Sequence, residues 1–139
     1  MSECLAEEPW EQDRGVLREE EPVRTYDLEE RSAKFGEAVI RLLKAIVQNA
    51  LTNRIISQLV GCATSIGANY CEADDGLSPK DFRKFIGICR KESRECKHFL
   101  RMLATAVPER APECRSLYRE ARELNLIFSS IWRRAAPDK

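Results

Sequence analysis

A chain of 139 residues with 23 basic and 23 acidic side chains, one histidine and 7% aromatics is long enough for one domain with a sizeable core. Few aromatics beside plentiful Leu, Ile, Ala and Arg favour helices over a β-sandwich, and no run approaches the ~18 apolar residues of a membrane span. The first residues are polar and acidic, without the apolar stretch of a secretory signal, so the six cysteines are expected to be reduced in a cytoplasmic protein.

The zero net charge hides a split. Residues 1–25 carry eight acids against three bases, a net of −5, and the remainder carries 20 bases against 15 acids, +5. The stretch 1–25, with Trp10 inside it, reads as a disordered, solubilising acidic tail. The sharper alternative is a tail that competes with an anionic partner for the basic body. Residues 26–134 form the domain and 135–139 a second short tail.

Long proline-free stretches predict long elements, and four helices follow in order. The first is predicted over Asp27 to Ile46, with Asp27 and Glu30 as a capping pair and Leu28, Phe35, Val39, Leu42 and Ile46 at helical spacing. The second is predicted over Asn53 to Asp74, capped by Thr52 or Asn53. Its inward stripe is Ile55, Leu59, Cys62 or Ala63, Ile66, Tyr70 and Ala73, and Gly76 suits a left-handed stop. Beside that stripe Gly61, Ser65, Ala68 and Glu72 share a face, with Asn69 near it. Small side chains there let another helix come close, either inside the chain or as a subunit interface.

The third helix is predicted over Pro79 to Ala104, capped by Ser78 with Asp81 in its first turn. Phe82, Phe85, Ile86, Cys89, Ser93, Cys96, Leu100 and Leu103 face inward. Its outer face holds eight bases, Lys80, Arg83, Lys84, Arg90, Lys91, Arg94, Lys97 and Arg101. At about 100° per residue they fall within roughly 140° of arc. Such a stripe can track phosphates; the plainer reading is a solvated face, or one paired with acids of a neighbouring helix. No aromatic interleaves the stripe, which argues against single-strand stacking. The fourth helix is predicted over Glu113 to Arg134, after a connection from Pro108 to Pro112, with Leu117, Ala121, Leu124, Phe128 and Ile131 as its seam and Trp132 covering the rim. Short connections make neighbours antiparallel, so the expected fold is an all-α, up-and-down four-helix bundle.

Tyr26-Asp27-Leu28-Glu29, the run Asn53-Arg54-Ile55-Ile56-Ser57-Gln58-Leu59, the run Ser65-Ile66-Gly67-Ala68-Asn69-Tyr70-Cys71-Glu72-Ala73, then Ser78-Pro79-Lys80-Asp81-Phe82 and Ile86 to Glu95 together carry a family resemblance. Over about residues 26–134 the chain resembles a bacterial four-helix-bundle family, some members of which are encoded in intervening sequences of the large-subunit rRNA gene. The resemblance implies a bundle that assembles as a homopentamer. It also implies kinship with the accessory variability determinant of diversity-generating retroelements, a pentameric barrel that looks like a nucleic-acid-binding partner of a reverse transcriptase. It brings no catalytic residue. The expected function is a non-catalytic oligomer accessory to RNA or a ribonucleoprotein; the alternative is a protein-interaction scaffold without nucleic acid.

Other chemistries find little support. Glu95-Cys96-Lys97-His98 matches Glu-x-x-His, but a di-iron bundle needs two such motifs and two further inward glutamates, and His98 is the lone histidine. Glu72-Ala73-Asp74-Asp75-Gly76 lacks the spacing of a calcium loop. No Cys-x-x-Cys suggests zinc, and no Ser-His or Cys-His arrangement is available for nucleophilic catalysis. No cofactor is expected.

Overall fold

The computed structural model of the chain describes residues 7–13 and 27–136, and every regular element among them is helical. A single turn, α1 (Pro9–Gln12), is followed by four long helices, α2 (Leu28–Lys44), α3 (Thr52–Asp74), α4 (Pro79–Ala106) and α5 (Ala111–Arg134), with a 3-10 turn at Pro108–Arg110 leading into the last. No helix among the described residues is long and apolar enough to cross a membrane.

The helix ends test the capping expectations one by one. Ser78 behaves as expected: its Oγ accepts the amide of Asp81 at 3.1 Å, and Pro79 occupies the first turn, where its missing N–H costs nothing. Asp27 makes no side-chain cap; it sits in the left-handed region at φ 61° and holds α2 through its carbonyl, which accepts the Arg31 amide. Neither Thr52 nor Asn53 caps α3. Asn49 does so from upstream, its Oδ1 accepting the amides of Leu51 and Thr52, each at 2.9 Å, while Thr52 Oγ1 donates to the Val47 carbonyl. Gly76 is not left-handed either; its place is fixed by crowding, since a Cβ there would lie 3.0 Å from the Ala73 carbonyl oxygen.

Paired contacts give the helix directions. A Cβ on Gly36 would meet the Ala63 carbonyl, and one on Gly67 would meet Ser32, each at 3.4 Å, so α2 and α3 run oppositely at close approach. Cys89 Sγ donates to the Ile66 carbonyl and Cys96 Sγ lies 3.2 Å from Cys62 Sγ, which opposes α4 to α3. Asn125 Nδ2 donates to the Arg90 carbonyl, and Gly87 faces the Trp132 indole, which opposes α5 to α4. Arg31 closes α2 on α5 through a bidentate pair with Glu120, at 2.9 and 2.8 Å.

The core lies between these helices. Val39, Leu59, Ile66, Ile86, Leu100, Leu103, Leu124 and Phe128 are wholly withdrawn from water, each a burial of about 1.5–3 kcal/mol. Cys89, Cys96 and Cys114 are equally buried and act as small hydrophobes. Burial pushes the thiols of Cys89 and Cys114 up to about 12 and about 11, and contact with Cys62 together with burial raises that of Cys96, so none carries thiolate at neutral pH. Of the seam expected on α5, Ala121, Leu124 and Phe128 are buried, but Leu117 and Ile131 are only half-buried; Cys114, Tyr118 and Ile127 face inward as well. Ser93, buried on α4, donates to the Arg90 carbonyl and accepts from Asn125.

Candidate functional site

The basic residues of α4 lie on one side of that helix, and the structure divides them into three stretches. Along the whole face Lys80, Lys84, Arg90, Lys91, Arg94 and Arg101 are exposed, whereas Arg83 and Lys97 are half-buried because each is engaged.

At the start of α4 the engaging group is Trp132. The Arg83 guanidinium lies 3.8 Å from the indole centroid and that of Arg90 4.7 Å, both within cation–π range. Arg83 Nε also donates to the Trp132 carbonyl at 3.3 Å. The indole settles against α4 because position 87 has no side chain: a Cβ there would stand 3.1 Å from Trp132 Nε1. Beside this stack a cavity of about 840 Å³ is lined by Ser78, Lys80, Arg83, Lys84 and Trp132. An aromatic therefore does enter the basic face, supplied across the interface by α5 rather than along α4. The signal was present as a glycine flanked one turn either way by arginines, Arg83, Gly87 and Arg90, which marks a slot for a bulky group.

Midway along α4 the face turns toward α3. Lys91 and Arg94 share a shallow hollow of about 550 Å³ with Gln58, Glu95, His98 and Phe99. His98 is exposed and lies edge-on to Phe99. Among the described residues no three His, Cys, Asp or Glu side chains are grouped to hold a metal ion.

Further along, at Lys97, the face is covered, while Arg101 beyond it stays exposed. Residues 7–13, part of the stretch expected to be disordered, form the α1 turn against α4 and α5. Arg115 grips Glu8 through Nε and Nη2, at 2.6 and 2.9 Å. Asp13 Oδ2 accepts from Lys97 Nζ at 2.7 Å and from the Tyr118 hydroxyl at 2.9 Å. Trp10 meets the Tyr118 ring edge to face at 5.4 Å, and Pro9 is buried. The Arg115 hydrogen bonds hold the Glu8 carboxyl below its usual range. Burial pushes Asp13 upward, but its bonds from Lys97 and Tyr118 outweigh that and hold it low. Burial, with Asp13 beside it, raises the Tyr118 phenol. The Lys97–Asp13 side chains are only 18% and 15% exposed, well screened from solvent. The rest of residues 1–25 lies outside the described residues, as does most of the short tail at 135–139.

Among the described residues the small-residue strip of α3 is largely open. Gly61, Ala68 and Glu72 are exposed, Ser65 and Asn69 are half-buried, and a Cβ on Gly61 would meet nothing within 4 Å. The Asn69 amide is spent on its own helix, donating to the Ser65 carbonyl at 2.9 Å and to the Ser65 hydroxyl at 2.8 Å. Close helix approach within the chain falls to Gly36 and Gly67, which the sequence pattern did not single out for it.

Comparison with known proteins agrees with this architecture. Residues 24–130 match the family model of the 23S rRNA-intervening sequence protein. The chain is similar to a crystal structure of a protein of unknown function from the S23 ribosomal protein family of Bacteroides thetaiotaomicron, with 26% identity and a TM-score of 0.67 over 75% of this chain and 96% of that one. No curated protein matches the chain.

Proposed function

The chain belongs to the 23S rRNA-intervening sequence protein family, and from that premise we propose that it is a non-catalytic, oligomeric helix bundle that binds RNA, free or within a ribonucleoprotein, through the basic face of α4. The observation that carries this reading is charge left unanswered. Among the described residues, Lys80, Lys84, Arg90, Lys91, Arg94 and Arg101 have no carboxylate at ion-pair distance; Lys44, Arg54, Arg119, Arg133 and Arg134 have none either, but those are scattered over three helices, whereas the six share one face of α4. A face paired with acids of its neighbours would be neutral outward; this one presents cations along a helix of 28 residues. A phosphate backbone is the chemistry that answers such a row. The guanidinium–indole stack adds flat surfaces against which unpaired bases can lie.

In the same reading α2 to α5 are an up-and-down four-helix bundle in the cytoplasm, and five copies assemble through the strip at Gly61, Ser65, Ala68, Asn69 and Glu72. Support for that interface is the exposure of Gly61, Ala68 and Glu72 and the open space above Gly61 among the described residues. Fivefold repetition would set five basic faces around a ring and strengthen polyanion attraction.

Fluorescence anisotropy with a labelled RNA over a salt series tests the proposal. The wild-type chain is expected to bind more weakly as salt rises, and the triple variant K84E/K91E/R94E to lose roughly 100-fold in affinity while keeping its helical circular dichroism. A folded triple variant that binds as well as wild type would remove α4 from the account. The second reading, a protein scaffold, is favoured by the exposed apolar side chains of Val47, Leu51 and Leu77. It predicts a stable complex with a protein and no salt-dependent RNA binding.

A further inference from the structure

The covered end of the α4 face has the composition of a ligand complex. The segment 7–13 presents a carboxylate, an indole and a second carboxylate, from Glu8, Trp10 and Asp13. The body answers with a bidentate guanidinium from Arg115, an aromatic ring from Tyr118, and an ammonium from Lys97 with the Tyr118 hydroxyl beside it. Bidentate arginine suits a phosphate as well as it suits a carboxylate, and the edge of an aromatic pair is a place where a base can stand in for an indole. A further donor stands close by: Arg122, whose charge acts on Asp13, has its Nε buried without a hydrogen-bond partner. The segment thus satisfies Arg115, Lys97 and the Tyr118 hydroxyl, and leaves the Arg122 Nε without a partner.

We propose that Lys97, Arg115, Tyr118 and Arg122 form a subsite for a phosphodiester and its adjoining base in single-stranded RNA, and that residues 7–13 are a tethered pseudo-ligand occupying it. The proposal rests on the RNA-binding reading above and extends it: the open part of the α4 face takes RNA first, and the strand gains the covered subsite only by displacing the strap. The acidic stretch then acts as a built-in competitor that lowers affinity for short or weakly charged strands.

Three full-length chains and the wild type decide this, with a fluorescein-labelled oligouridylate of about a dozen nucleotides as probe. The strap variant E8Q/D13N loses its grip on the body without touching it. It is expected to bind about tenfold more tightly than wild type, with a salt dependence steeper by roughly 0.7, the value for one further phosphate contact on a single strand. The quadruple variant E8Q/D13N/K97Q/R115Q is expected to lose that gain. The variant E30Q/E37Q makes the same change in net charge on α2 and is expected to stay within about twofold of wild type, which separates displacement from bulk charge. If wild type binds the strand and E8Q/D13N binds it equally, or no better than E30Q/E37Q, the strap is a structural appendage and this inference falls while the RNA-binding reading stands. If no chain, E8Q/D13N included, binds the strand, the RNA-binding reading falls and takes this inference with it.

Discussion

The two ends of α4 carry the same charges and solve different problems with them. At the first end Arg83 and Arg90 lie over Trp132 beside an open cavity, a neutral aromatic partner that leaves their charge available to solvent. At the other, Lys97 is closed under Asp13, an anionic partner that cancels its charge. A cation stacked on an aromatic can still attract a phosphate, whereas one paired to a carboxylate must first give that carboxylate up. The contrast teaches that the basic face is not one uniform stripe: part of it is ready and part is reserved.

Removing the platform of the reserved end should have the largest effect. Tyr118 is 5% exposed and touches both Asp13 and Trp10. The variant Y118A is expected to lower stability by about 3 kcal/mol, measured by urea unfolding, and to free residues 7–13, seen as faster amide exchange there. Unchanged exchange over 7–13 would mean that the segment is held by something other than Tyr118. The open end should be gentler to disturb. Trp132 is half-buried, so W132A is expected to cost about 1–2 kcal/mol of stability and up to tenfold in RNA affinity, with residues 7–13 unaffected.

Acid distinguishes the two ends with the smallest perturbation. The folded carboxyls of Glu8 and Asp13 lie below their ordinary values of 4.5 and 3.8. Their contribution is therefore complete above the ordinary values and fades as pH falls through the lowered ones. The groups that face these two carboxyls are Lys97, Arg115, Arg119, Arg122 and Tyr118. Trp10 emission in a W132F chain should shift as the strap releases below about pH 4. Trp132 emission in a W10F chain should stay flat through the same range, since the charged groups that hold it among the described residues are Arg83 and Arg90. Equal shifts at both ends would erase the distinction.

What could be read from the residues follows from which interactions are periodic. The apolar stripes of α2, α3 and α4 repeat every turn, so Leu28, Val39, Leu59, Ile66, Ile86 and Leu100 were all legible as core, and so was the Ser78 cap, a local pattern with a proline after it. The eight bases of α4 were legible for the same reason. Contacts across elements were not. Trp132 meets Arg83 from 49 residues away and Arg115 meets Glu8 across 107, distances at which periodicity carries no information. Composition misled at residues 7–13: an acidic, aromatic-poor stretch reads as unable to bury anything, yet Pro9 and Trp10 find an apolar seat already built by α5. Likewise Asn49, not Thr52, caps α3, because a side chain three residues upstream reached both free amides first.

The most direct test of the account is the acylation rate of individual lysines, followed by mass spectrometry, with and without saturating RNA. Free in solution, Lys80, Lys84 and Lys91 should react as readily as Lys34 and Lys44 on α2, and Lys97 more slowly, being covered by Asp13. With RNA bound, the account predicts that Lys80, Lys84 and Lys91 are protected by about tenfold or more while Lys34 and Lys44 keep their rates. Unchanged rates at Lys80, Lys84 and Lys91 in an RNA-saturated sample would contradict the claim that this face of α4 is where RNA binds.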